Sequence, residues 1–288
     1  MKPFTTCILA CLLASFGAAT GEPLQFLPDT RPQCVFNGNA QKISLALHNP
    51  DNENFNGQIH ARIFQTSSAT AVSLGDVPWK KLQVLAGETI LESAALPFPA
   101  VDAETKFLVQ WRDEKNRLIG MTSVLVYPTN LFRTLRSRLC ETNFGVLDPN
   151  NQVEPLLKAQ KISFMDLSEM NLTNFSGQLA IVGPFSSQAQ VPAGLRERIK
   201  AIAERNIAVV WIQPQERPLL PSALGWERQK IEPSFYCVQK KQTAVVVVKP
   251  DLVSDLPENP QSQIALIYFC NLALNPQPAV LPWLSLEL

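Results

Sequence analysis

Histidine is nearly absent from this sequence: there are two, His48 and His60, in 288 residues, and none beyond position 60. Acyl-transfer relays of the Cys-His-Glu or Ser-His-Asp type need an imidazole to carry the proton. No such relay can therefore assemble from residues 129 to 288 alone. Glycine is also scarce, 12 against 23 prolines, and neither a phosphate-binding loop nor a dinucleotide fingerprint is present. No pair of cysteines has C-x-x-C spacing, which removes the usual redox dithiol and zinc-knuckle patterns. Charge is balanced, 25 Lys plus Arg against 25 Asp plus Glu, so no net field attracts nucleic acid or an anionic membrane surface. No cofactor is expected.

What is present is core-forming material. Hydrophobic residues make up 46% of the chain and charged residues 17%, a balance that folds rather than one that stays disordered. The length suits two ordinary domains. Residues 1 to 21 have the build of a secretory signal: Lys2, an apolar stretch from Cys7 to Phe16, then the small residues Gly17, Ala18, Ala19, Thr20 and Gly21. The apolar stretch falls well short of the roughly 20 residues that cross a bilayer. The expectation is an exported protein, periplasmic or extracellular, with no membrane span after removal of the signal. That removal leaves Cys34, Cys140, Cys237 and Cys270. Export permits disulfides among them and a large core equally permits buried free thiols; spacing ranks none of the three full pairings. Asn171 and Asn174 begin N-x-[ST] triplets, of consequence only in a host that glycosylates exported proteins.

Residues 22 to 128 carry a period of two. In "QKISLALHN", Ile43, Leu45 and Leu47 share a face, and in "GQIHARIFQ", Ile59, Ala61 and Ile63 do. The polar "PDNENFNG" between them reads as the loop of an antiparallel pair, which puts His48 and His60 on the outer face of neighbouring strands. A metal there would also need Asp51 or Glu53, and solvated surface histidines are the simpler reading. More strands follow in "KKLQVLAGETILESAALPFPAV" and "TKFLVQWRDEKNRLIGMTSVLVYP", the last two joined across Asp113 to Asn116. Short strands with regular turn signals predict an all-β sandwich. In "LHNPDNENFNG" and the "FLVQW" strand the stretch resembles immunoglobulin-like or fibronectin-III-like modules of exported bacterial proteins, which bind, space or dock.

After "VYPTN" the pattern changes. "FRTLRSRL" reads as a short helix, followed by "FGVLD" strand, "QVEPLLKAQ" helix, "SFMDL" and "GQLAIVG" strands, "PAGLRERIKAIAERN" helix, "IAVVWI" strand and "TAVVVVKP" strand. "NPQSQIALIYFCNLALNP" closes the series as a helix apolar nearly all round. Such alternation predicts a mostly parallel sheet within an α/β three-layer fold. The expected organisation is multidomain: signal 1–21, sandwich 22–128, α/β domain 129–276 and a Pro-rich tail 277–288 that lies across one of the domains. In "QLAIVGP", the long helix after it, "IAVVWIQ" and the ending "KPDLVSDLPENPQSQIALIYFCNLALNP", the second half resembles the flavodoxin-like fold of class I glutamine amidotransferase-like domains.

That resemblance implies a Cys on a glycine-flanked turn after the strand "AVVWI", with His and Glu downstream. Here the turn is Gln213-Pro214-Gln215, with neither cysteine nor glycine beside it, so the fold is expected without the reaction. Asp148, Ser186 and Gln213 are the candidate ligand-binding residues, together with Asp166, because open α/β sheets bind ligands at the carboxyl ends of their strands. Turn formation and helix capping account for the same residues more simply. The expected function is non-catalytic: an exported binding or assembly protein whose partner is another envelope protein or a glycan. The rival expectation is an envelope hydrolase cleaving glycan or amide bonds through carboxylates, with Asp148 and Asp166 as the pair.

Overall fold

A computed structural model describes residues 24–27, 32–133, 143–168, 172–213, 227–232, 235–240 and 243–276. The expected signal, the helix expected in "FRTLRSRL" beyond Arg133, Cys140 and the tail 277–288 lie outside these residues.

The N-terminal part is built from strands. β1 (Gln25–Leu27), β3 (Gly38–His48) and β6 (Thr89–Phe98) form one sheet in the order β1-β3-β6. β2 (Gln33–Phe36), β4 (Phe55–Thr66), β5 (Ala71–Val84), β7 (Thr105–Asp113) and β8 (Leu118–Tyr127) form a second, in the order β2-β8-β7-β4-β5. Pairing is antiparallel except at β2, which runs parallel to β8. The alternating apolar residues of both sheets meet in one buried cluster that includes Ile43, Leu45 and Leu47 with Ile59, Ala61, Ile63, Val109 and Trp111.

One expectation fails here. β3 and β4 do not pair: β3 bonds to β1 and β6, and β4 bonds to β5 and β7. "PDNENFNG" is therefore a crossing from one sheet to the other, and His48 and His60 sit in different sheets. A period of two reports which face a strand buries and carries no information about which edge it joins. The β7–β8 connection is as expected. Asp113 N donates to Arg117 O (3.1 Å), and Asn116 takes the left-handed φ of 61° that this residue type tolerates.

The C-terminal part is a seven-stranded sheet in the order β10-β9-β11-β12-β15-β14-β13. Its five parallel strands are β9 (Phe144–Leu147), β10 (Met165–Asp166), β11 (Leu179–Val182), β12 (Ala208–Ile212) and β15 (Thr243–Val248). The four valines of β15 are buried on both faces, as a central parallel strand requires. The sequence reading missed β13 (Glu227–Glu232) and β14 (Phe235–Lys240), an antiparallel hairpin that extends the sheet beyond β15.

Among the described residues, three helices cover the sheet: α1 (Val153–Ala159), α2 (Leu195–Glu204) and α3 (Pro260–Leu274). Val153, Leu156 and Leu157 of α1 and Leu266, Phe269 and Leu272 of α3 pack with Val146, Ile181 and Val210 on one face. The α2 stripe Leu195, Ile199 and Ile202 packs with Ala180, Val209 and Trp211 on the other. Asn259 caps α3, its Oδ1 accepting from Gln261 N (3.0 Å), and Pro260 occupies the first turn, where its missing N–H costs nothing. α3 is apolar nearly all round because it is enclosed: it covers the sheet and also packs beside β2 of the N-terminal part.

Candidate functional site

The order of the five parallel strands sets where a ligand would lie. From β9 the chain goes outward through α1 to β10, and from β11 it goes the opposite way through α2 to β12. The connections thus diverge at the carboxyl ends of β9 and β11, and open α/β sheets bind ligands at this kind of divergence. Asp148 follows β9, Ser186 lies in the loop after β11, Gln213 follows β12 and Asp166 ends β10.

Asp148 is anchored. Its Oδ2 accepts from Val153 N (2.6 Å) and Glu154 N (2.9 Å), satisfying two of the free amides at the start of α1, whose own capping residue Gln152 makes no side-chain bond. Its Oδ1 is buried and has no partner among the described residues. Asp166 is exposed; Ser168 donates to its Oδ1 from the hydroxyl (2.6 Å) and the backbone (2.8 Å), which holds its carboxyl below the usual range. It stays ionised near neutrality, which does not suit a general acid.

Ser186 belongs to a small network that the sequence did not announce. Asn150 Nδ2 donates to Pro184 O (2.9 Å) and Ser186 Oγ (2.9 Å), and Ser186 N donates to Gln190 Oε1 (2.9 Å). The turn after β9 is thereby tied to the loop after β11. Asn150 and Gln190 carried no motif; the turn-rich "DPNN" was the one available hint.

Gln213 is fully buried. Its backbone N–H donates to Val248 O (2.9 Å), extending the β12–β15 ladder, while neither Oε1 nor Nε2 has a hydrogen-bond partner among the described residues. The period of the strand puts it on the same face as Trp211, whose Nε1 is also buried with no partner among the described residues. Such orphaned groups cost about 1–3 kcal/mol each. Gln213→Met keeps the volume and removes two of them, so it is expected to raise stability by about 1–3 kcal/mol in urea unfolding. A loss of stability would show that the carboxamide is bonded in solution.

The two thiols described, those of Cys34 and Cys270, are inert. Cys34 and Cys270 are free. Burial, followed by the nearby charge of Glu104, pushes Cys34 up to about 11, and burial alone pushes Cys270 up to about 12. Neither is a thiolate near neutrality. Tyr127, beside Cys34, donates to Glu104 Oε2 (2.7 Å), and its own ionisation is pushed upward by burial and by that bond. His48 Nδ1 pairs with Thr89 Oγ1 (3.0 Å). Among the described residues no group of three or more His, Cys, Asp or Glu is arranged to hold a metal, and no helix is long and apolar enough to cross a membrane.

Among the described residues, two concavities lie in the N-terminal part. One, of ≈ 370 Å³, runs between the loop that follows β3 and the β7–β8 turn; its floor includes Asn49, Phe55 and Asp113. The other, of ≈ 310 Å³, runs from the far side of the same turn over His60, Arg62 and Arg112. The sequence reading did not single out either.

No known family matches the chain, and no curated protein is similar to it. Parts of solved structures resemble parts of it. They include the alkylpurine DNA glycosylase AlkC of Pseudomonas fluorescens bound to DNA with an abasic-site analogue (13% identity, 36% of this chain and 30% of that one, TM-score 0.27). A β-glucosidase from Listeria innocua matches at 11% identity over 36% of this chain and 16% of its own, TM-score 0.27. A Niemann-Pick type C2 protein from the Japanese carpenter ant matches at 13% identity over 38% of this chain and 96% of its own, TM-score 0.28. The chain spans less than a third of the first two proteins. At these scores the likenesses bear on neither fold nor function.

Proposed function

We propose that the chain is an exported, non-catalytic binding or assembly protein of the cell envelope, with another envelope protein or a glycan as partner. In this reading the two N-terminal sheets are an immunoglobulin-like β-sandwich. The five parallel strands, in the order second-first-third-fourth-fifth, are a flavodoxin-like domain of amidotransferase type that has lost its reaction.

One observation carries the proposal. At the carboxyl end of β12, where that family sets its nucleophile, stands a buried carboxamide, and the C-terminal part has no imidazole to activate any neighbour. The carboxylates give the hydrolase reading little support: Asp148 is spent on capping α1, and Asp166 is an exposed, ionised turn former.

Chromogenic amide, ester and glycoside substrates separate the two readings. The purified protein is expected to turn over none of them faster than its Asp166→Asn variant does. Turnover that disappears in Asp166→Asn would establish the hydrolase. Asp148→Ala is expected to lower stability by about 0.5–2 kcal/mol, as the loss of a helix cap does, and to leave every binding phenotype intact.

A further inference from the structure

The concavity of ≈ 310 Å³ over His60, Arg62 and Arg112 is lined by polar side chains throughout, these three with Asp76, Asp113, Glu114 and Asn116. Its volume is at the small end of the usual range for ligand sites, about 300–1,000 Å³, and most such sites are largely apolar. A small, strongly hydrated ligand suits it better than a polymer or an apolar molecule.

Most of the charges around it cancel. Arg62 holds Asp76 through two bonds, Nε to Oδ1 (2.6 Å) and Nη2 to Oδ2 (2.8 Å), and this pairing keeps the Asp76 carboxyl below its usual range. Asp113 is taken up by Arg117, accepting from its backbone N (2.8 Å) and its Nε (2.7 Å). Arg112 and Glu114 are left, two residues apart at the end of β7, or about 7 Å along an extended chain.

Opposite charges so placed would be expected to pair, yet each is held by neutral groups instead. Arg112 donates from Nη1 to Asn116 Oδ1 (3.0 Å) and from Nη2 to Gln110 Oε1 (2.9 Å), and its Nε is buried with no acceptor among the described residues. Glu114 Oε1 accepts from Gln58 N (2.7 Å). Among the described residues neither makes an ion pair. His60 stands directly across from Arg112 in the β4–β7 register, and its ring makes no hydrogen bond among the described residues.

One small cavity therefore has a fixed guanidinium and a fixed carboxylate on its walls, neither of them neutralised. A guanidinium held in position takes a carboxylate through parallel bonds with little loss of side-chain freedom, and a held carboxylate takes an ammonium in the same way. A single ligand satisfies both only if it carries both charges. We propose that this concavity binds a small zwitterion of the α-amino-acid kind, its carboxylate on Arg112 beside His60 and its ammonium on Glu114. This ligand is separate from the macromolecular partner proposed above.

Calorimetric titration of the protein with glycine, L-serine and L-glutamine, and with acetate and methylamine as the two half-ligands, tests this. At least one amino acid is expected to bind about tenfold or more tightly than either half-ligand, and Glu114→Gln and Arg112→Gln are each expected to weaken that binding about tenfold or more, the scale of a lost charge-assisted bond. In Glu114→Gln the carboxamide oxygen can still accept from Gln58 N, so an unchanged melting curve shows that the fold is kept. Asp166→Asn, in the C-terminal sheet, is expected to bind as the parent does. The inference is overturned if no amino acid binds, if acetate or methylamine alone binds as tightly as the amino acids, if Glu114→Gln or a folded Arg112→Gln binds as the parent does, or if Asp166→Asn loses binding as well.

Discussion

Gly183→Ala is expected to lower stability by about 3–6 kcal/mol, the sum of a strained backbone and an overlap that cannot relax. Gly183 has a φ of +102°, a region that side-chain-bearing residues seldom occupy. A Cβ there would lie 2.3 Å from Ile212 O, a backbone atom at the end of β12. The carbonyl cannot retreat, because its strand is hydrogen-bonded on both sides, to β11 and to β15. Gly183 N also donates to Leu147 O (2.8 Å), so the residue joins the ends of β9 and β11 while making room for β12. Urea unfolding followed by far-ultraviolet circular dichroism measures the loss. A change below about 1 kcal/mol, the usual scale for an ordinary substitution, would mean that the loop takes another path.

Trp111→Ala is the second large effect expected, about 3–5 kcal/mol. Trp111 is fully buried on β7, its ring stacked on Phe26 (5.1 Å between centroids, 9° between planes) and tilted against Trp79 (5.3 Å). Its Nε1 donates to Thr122 Oγ1 (2.9 Å) across to β8. Phe26 reaches this position because Gly120 leaves the space open: a Cβ on Gly120 would lie 2.3 Å from that of Phe26. Truncating Trp111 therefore leaves a cavity and also releases β1, whose Phe26 packs against the cluster that holds Leu24, the residue before the strand. Trp111→Phe should retain most of the stacking and lose the bond to Thr122, a smaller cost of about 1–3 kcal/mol. Equal losses in the two variants would mean that the hydrogen bond, not the stack, holds β1 in place.

Legibility followed the range of each interaction. The α2 stripe Leu195, Ile199 and Ile202, the valines of β15 and the alternation through Trp111 could be read from neighbours in the chain, and each element formed close to its expected bounds. The β13–β14 hairpin was missed: "ERQKIE" is polar and lacks the apolar alternation that marks a half-buried strand. The candidate residues were placed correctly at the strand ends, since a residue after a buried run has little choice. Their roles were not visible. Asp148 became a helix cap through an amide five residues away, and Ser186 joined Asn150 through a bond spanning 36 residues.

The same division separates the two sources of knowledge about this protein. Residue order alone was enough for the change from period two to strand-helix alternation and for the missing imidazole in the C-terminal half, because each is a property of composition or of a few adjacent side chains. Chain-distant contacts were needed for the rest. β3 and β4 lie in separate sheets, β2 runs parallel to β8, the Gln213 side chain is buried with no partner among the described residues, and a concavity forms where the loop after β3 meets the β7–β8 turn. Each of these outcomes turns on which surfaces exclude water from one another, and a strand's own pattern names the face it hides but never the neighbour that covers it.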